Sequence, residues 1–549
     1  MPAKKCLVFI VLLLVSLGLQ GPVAVAAPGT PHPGASAPQQ LRVAPDPVSA
    51  LHPLPRRIPQ AAPAPSSSAR STAGTAGYVT VPADFPAITV TVPASDTAPG
   101  LVFAAPFIGS PSALGYLLML DNSGQPVYYQ RLPNDVGLDF KLLPDGTLSY
   151  FDENDDGWVI MDSSYHEKAV VKAANGLGGD AHELQLMNDG HYLIMADQYV
   201  TVDMSKMVTG GYTNTQVLQQ IIQEVDITGT LYFSWPILSH VPITDSNQPL
   251  VAPTIDYSHC NAVDVDTDGN LLLSCRHLSS VIKIAYKSEG VYKSGDIMWH
   301  LGGVENNFTF ALGPGLPAAE PLNFYYQHDI RRIPNGDITL FDDHDNPPPG
   351  GGPEVSRALE YTLDEQHLAA TLVRAQHHSP DTYSVAMGNV QLLSNGDIMV
   401  GWGDNYDQAL TEYHPDGSEA FEILVDSPLI SYRSFRFPWT GHPTWPPVLV
   451  AQTSGSGIKL TFSWNGATDV AAYRIYAGSS STPTLYLGQQ AKTGFETSVQ
   501  LSSATASCGF YEVVPIDDQG QAGQPSNVVA NPSGGTPSCA RQYFPLMAR

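Results

Sequence analysis

From Tyr78 to about Trp445 the chain alternates apolar and polar residues in short runs, broken repeatedly by Gly, Asp, Asn and Pro. Period-two alternation bounded by turn residues predicts strands, and helical periodicity is scarce. One unit recurs: "DFKLLPDGTLSYF" from Asp139, "HELQLMNDGHYLIM" from His182, "NAVDVDTDGNLLLS" from Asn261, "HDIRRIPNGDITLF" from His328 and "GNVQLLSNGDIMVG" from Gly388. Each reads as a strand, an Asp-Gly or Asn-Gly turn and a second strand, because such turns need residues that accept positive φ. The turn glycines Gly146, Gly190, Gly269, Gly336 and Gly396 stand 44, 79, 67 and 60 residues apart, and further strand-like runs such as "RALEYTLD" follow most of them. Repeats of about 40–50 residues or more with some four strands each predict propeller blades. Joining "LGYLLMLDNSGQPVYYQ" near the start to "SYRSFRFPW" at the end closes a sixth. An array of sandwiches explains the hairpins equally well, but not the shared register of the residues before each turn.

The pattern changes at Pro446. "IKLTFSW", "VAAYRIYAG" and "CGFYEVVPIDDQGQAGQPSN" read as strands of a fibronectin type III-like sandwich. The expected fold is therefore all-β: a six-bladed β-propeller over residues 78–445, then a small β-sandwich over 446–531. Residues 28–77 form a Pro/Ala/Ser-rich linker and 532–549 a C-terminal tail too short to span a membrane. Residues 1–27 carry two lysines, an apolar run from Cys6 to Leu19 and Ala24-Val25-Ala26 as a cleavage site, the marks of a secretory signal peptide. An uncleaved anchor is the competing reading, though the run is short for a ~20-residue span. A secreted or periplasmic protein with no integral membrane span after cleavage is expected.

Composition narrows the classes. With 26 Lys+Arg against 52 Asp+Glu the net charge is −26, which repels phosphate backbones and argues against nucleic-acid partners. The GxSxG elbow, the P-loop and HExxH are missing from the sequence, as is any zinc-type Cys/His spacing, so no cofactor and no metal is expected. The acidic runs "DENDD" and "DDHDN" read as solvated loops. A homodimer stays open.

Candidate chemistry lies at the hairpin starts. In a propeller the first strand of each blade lines the central channel, so its leading residues converge. Eight residues before each turn glycine stand Leu138, His182, Asn261, His328 and Gly388; seven before stand Asp139, Glu183, Ala262, Asp329 and Asn389. His259 lies two residues before Asn261. One such histidine reads as a strand cap, but three at matched positions, beside Asn261 and Asn389, read as a site. Arg357 is the candidate cation, either a fork for a tetrahedral oxyanion or a surface partner of Glu354 or Glu360. Arg331 and Arg332 read as structural. Reflecting Cys260 across a turn centred near Asp268 lands beside Cys275, which predicts a disulfide fixing the His259 strand; a free-thiol nucleophile is the rival. Cys508 and Cys539 offer a second bridge.

Together "DYSHCNAVDVDTDGNLLLSCR", "QHDIRRIPNGDITLFDD", "SRALEYTLDE", "MGNVQLLSNGDIMVGWG" and "SYRSFRFPWTG" resemble the bacterial arylsulfotransferase (arylsulfate sulfotransferase) family over roughly residues 80–445. The resemblance implies an exported six-bladed propeller. It would move a sulfuryl group from a small phenolic sulfate donor to a phenolic acceptor by ping-pong through a sulfohistidine, without a nucleotide donor. It implies His259 and His328 as channel histidines and Arg357 as the sulfate-holding arginine; the converging hairpin starts add His182, Asn261 and Asn389 as substrate contacts. The family's further histidine in a late blade has no counterpart: that blade start reads Gly388-Asn389, with His377 and His378 in the preceding loop. The contrasting reading is a non-catalytic propeller that binds glycans or a protein partner. A quinone-dependent oxidoreductase is the weakest option, since its tryptophan docking repeats are missing.

Overall fold

Each Asp-Gly or Asn-Gly signal becomes a hairpin tip. Gly146, Gly190, Gly269, Gly336 and Gly396 have φ of +84°, +86°, +80°, +93° and +91°. A Cβ at the first four would meet open space, so the backbone angle alone requires glycine there. The computed structural model describes residues 71–73, 77–108, 113–406, 408–502, 507–534 and 539. The signal peptide, nearly all of the linker and most of the C-terminal tail expected from the sequence lie outside them.

The described residues are all-β apart from short 3₁₀ turns. The five hairpins open five sheets, through strands Gly137–Leu142, Gly178–Leu186, Cys260–Val265, His328–Arg332 and Asn389–Leu392. A sixth sheet is assembled from both ends of the region, with Ile430–Phe437 pairing Leu101–Ile108, then Leu114–Leu120 and Pro126–Pro133. The two segments expected to join share this sheet, with Leu101–Ile108 between them. Each leading strand packs on the next, and Ile430–Phe437 returns to Gly137–Leu142. Apolar clusters fill the spaces between successive sheets, as where Leu271, Leu273 and Ile282 meet Trp235 and Tyr257.

Five of the six leading strands are bulged near their start, with register shifts at Leu138/Lys141, Gly179/Leu184, Cys260/Ala262, His328/Arg331 and Ser431/Ser434. A bulge bends the strand and re-aims its side chains. Asp139 and Asp329 take φ of +53° and +59° at these points. Three members of one expected register thereby come together: Asp139, Glu183 and Asp329 join Lys141, Arg331 and Arg433 in one buried network. Lys141 Nζ lies 2.6 Å from both Asp139 and Glu183, and Arg433 lies 3.1 Å from the same two carboxylates. Arg331 pairs with Glu183 and, at 2.6 Å, with Asp329. Arg331 is thus a member of this network.

Beyond Pro446 two further sheets share a core in which Leu449, Leu460 and Phe462 face Tyr473, Ile475 and Tyr511. This region docks through Tyr165, which stacks 4.0 Å from Tyr128 and donates its hydroxyl to the Gly466 carbonyl at 2.8 Å. Asn465 accepts from the Tyr129 N–H and donates to its carbonyl, both at 2.8 Å. Cys260–Cys275 and Cys508–Cys539 are disulfides, the state favoured in oxidising compartments. Among the described residues no helix is long and apolar enough to cross a membrane.

Candidate active site

The strand Thr254–Asp256 ends just before His259, which turns at φ +44° into Cys260–Val265. Pairing of Cys260 with Cys275 lays the next residues alongside each other. Arg276 N–H donates to the His259 carbonyl at 2.9 Å, and His277 N–H to that of Ser258 at 3.1 Å. Three imidazoles result in a row. The His182 ring lies 5.1 Å from His259, edge to face, and His259 lies 4.6 Å from His277.

His259 Nδ1 lies 2.5 Å from Asp256 Oδ2, and its side chain is 27% exposed. Burial lowers its pKa, with His182 and Arg276 adding to the effect against the pull of Asp256. The ring is therefore neutral at pH 7, its Nδ1–H is held by the carboxylate, and Nε2 presents a lone pair. At His182 burial also disfavours the cation, but Asp180, 2.8 Å from Nδ1, outweighs it and the pKa is raised. Burial and the neighbouring His259 push His277 down to about 3. His277 Nε2 accepts from Arg276 at 2.8 Å, and Nδ1–H donates to the Asp256 carbonyl at 2.7 Å. Burial pushes Asp256 upward, but the imidazoles of His259, His277 and His182 hold it below the usual carboxylate range.

Arg276 is the cation at this row. It donates to the Val385 carbonyl at 2.9 Å and to Asp345 at 3.2 Å, and lies 4.8 Å over the Tyr326 ring. Its buried Nε has no partner among the described residues. Asp256, His259 and His277 are also spaced for a metal ion. Arg276 repels such an ion, and both His277 nitrogens are already engaged.

The other expected residues are placed differently. His328 is buried beside Asp343, with Nδ1 at 2.6 Å from Oδ2, and its Nε2 accepts from Met387 N–H at 3.3 Å. Burial, then Arg276, His259 and His182, hold its pKa well below the ordinary value. Asn261 donates to the Gln327 carbonyl at 2.8 Å, and its buried Oδ1 has no partner among the described residues. Asn389 clamps Ser434, donating to its carbonyl and accepting from its N–H, both at 2.9 Å.

Arg357 begins the third strand of its sheet, two strands out from His328. It is buried, bonded to Asp342 at 2.9 Å, to Glu320, and to the carbonyls of Pro321 and Asn323, both at 2.8 Å. Neither Glu354 nor Glu360 is its partner, so the surface-pair alternative is corrected. "DDHDN" is corrected too. Asp342, Asp343 and His344 are buried, because they pair with Arg357, His328 and each other.

Sequence reasoning missed Asp256, Arg276 and His277. The reflection that set Cys275 opposite Cys260 also sets Arg276 opposite His259, so that signal was present.

Solved structures resemble the chain distantly. A protein of unknown function from Bacteroides caccae shares 12% identity over 61% of this chain and 98% of its own, with a TM-score of 0.38. A catalytically inactive virginiamycin B lyase from Staphylococcus aureus, with quinupristin, shares 9% over 68% and 95%, at 0.32. A calcium-binding regucalcin from Agrobacterium tumefaciens shares 14% over 60% and 82%, at 0.28. No curated protein matches the chain. The family model described as arylsulfotransferase (ASST) matches residues 140–425, a span that holds the imidazole row and Arg276, and the chain belongs to that family.

Proposed function

We propose that the chain is a secreted aryl sulfotransferase that carries its sulfuryl group on His259. The observation behind this reading is a neutral, partly exposed imidazole whose Nδ1–H is pinned by Asp256, set between a raised-pKa histidine and an arginine with an unused buried N–H. In the first half-reaction His259 Nε2 attacks the sulfur of an aryl sulfate. The S–O(aryl) bond breaks, its electron pair leaves on the phenolate, and His182 Nε2–H protonates that oxygen. In the second, neutral His182 takes the proton of an acceptor phenol, whose oxygen attacks sulfur and frees His259. Environments that push two neighbouring pKa values apart suit this division of labour.

Arg276 offsets charge on the sulfuryl oxygens, the role that the resemblance implied for Arg357. His328, held by Asp343, and Asn261, held by the Gln327 carbonyl, fix their own strand starts, while Arg357 and Asn389 hold other loops and strands of the sheets. The six sheets are read as the six blades of a propeller, and residues 446–531 as a fibronectin type III-like sandwich. The test is steady-state kinetics with a nitrophenyl sulfate and a phenol. Nitrophenol release that depends on the phenol, with parallel double-reciprocal lines, is expected. A mature protein that transfers nothing to any phenol refutes the reading.

A further inference from the structure

A cavity of about 420 Å³ shares a wall with the imidazole row, within the ~300–1,000 Å³ span of small-molecule sites. The shared wall is Tyr326. Its ring lies 5.9 Å from His277 and under the Arg276 guanidinium, and it also faces the cavity. Tyr326 takes φ +57°, uncommon for a bulky residue, and its N–H donates to Ser279 Oγ at 3.2 Å. The position is built, not incidental.

The lining is chemically narrow. In a chain of net charge −26, no Asp, Glu, Lys, Arg or His among the described residues lines this cavity. Phe310, Tyr325 and Tyr326 supply aromatic faces, and Asn247, Asn323 and Asn346 supply amides. Each amide both donates and accepts, as does a hydroxyl, and aromatic faces cover the C–H side of a sugar ring. A charged or purely apolar ligand would leave half of this lining unused.

We infer that the cavity is a subsite for a neutral sugar attached to the acceptor phenol, so that the acceptor class is phenolic glycosides. This rests on the transfer reading above and adds the body of the acceptor to it.

The test compares two acceptors with the same phenol: hydroquinone mono-β-glucoside and 4-methoxyphenol. The full chain is expected to favour the glucoside in kcat/KM by about tenfold or more, since a site that bonds hydroxyls discriminates against ligands lacking them. Val304→Trp, at an exposed lining position, is expected to bring the ratio close to one, and Asn323→Ala to reduce it. Equal kcat/KM for both acceptors in the unmodified chain overturns the inference. Saturation-transfer NMR with methyl β-glucoside separates the two readings. If no phenol is sulfated yet the sugar binds and Val304→Trp abolishes binding, the transfer reading fails and the sugar subsite stands. If no phenol is sulfated and the sugar does not bind, both fail.

Discussion

At the scale of single residues, the account rests on pKa values pushed in opposite directions at two neighbouring histidines. His182→Gln removes the proton donor and is expected to lower kcat by roughly 10²–10⁴-fold, most for donors with basic leaving groups and least for nitrophenyl sulfates. Asp256→Asn removes the one group that raises the His259 pKa. The acid limb of the pH–rate profile should therefore move to lower pH while the plateau falls, and an upward move would contradict the assignment. His277 gives a stability prediction. It stays neutral in the folded state until about pH 3, whereas in the unfolded chain it takes a proton near its ordinary value. Its contribution is complete above about pH 6.5 and is lost as pH falls from there toward 3, by up to ~1.4 kcal/mol per unit. Urea titrations of His277→Asn should show a shallower acid loss than those of the unmodified chain.

At the scale of elements, the disulfide joins the residue after His259 to the residue before Arg276. Cys260→Ala/Cys275→Ala is expected to cost about 3 kcal/mol from loop closure, and also to reduce transfer, because the His259 and Arg276 segments lose their tether. A variant with unchanged kcat/KM would show that backbone pairing alone aligns them. The network beneath behaves differently. Arg433→Met leaves Asp139, Glu183 and Asp329 short of one buried cation and is expected to cost ~3–5 kcal/mol in denaturant unfolding. The two cases show what the pattern of residues conveyed. Hairpin register put Asp139, Glu183 and Asp329 on a common level, and that level exists. The same register did not separate His259, which is partly exposed, from His328, which is buried against Asp343. Arg357 sits away from the imidazole row for a topological reason. It stands at a strand start, but of the third strand of its sheet, where its partners are Asp342 and Glu320. Asp342 lies directly opposite Arg357 on the adjacent strand, but Glu320 comes from a loop outside the sheet, and a partner of that kind leaves no trace in a local pattern.

At the scale of the molecule, turn chemistry and period-two alternation were enough to place five hairpins and to bring residues 114–130 and 431–439 to one sheet, but not to find Leu101–Ile108 between them. The first strands of the chain held a surprise. Ile88–Val92 adds to the sheet of Asn389–Leu392 through Glu419–Val425, a pairing across more than 300 residues that no local signal marks. The C-terminal region is tied to the rest through Tyr165, Asn465 and Glu496, the last accepting from the N–H groups of Val79 and Thr80 at 2.6 Å. Removing residues 446–549 is expected to lower the melting temperature by several degrees in calorimetry, since Tyr165 loses its bond to Gly466 and Tyr129 its two bonds to Asn465. The direct trial of the whole account is to mix the protein with an aryl sulfate without acceptor, quench, and locate the added sulfuryl group by peptide mass spectrometry. The account predicts it on His259, absent from His259→Asn. A sulfuryl group found on His328, His377 or His378 would contradict it.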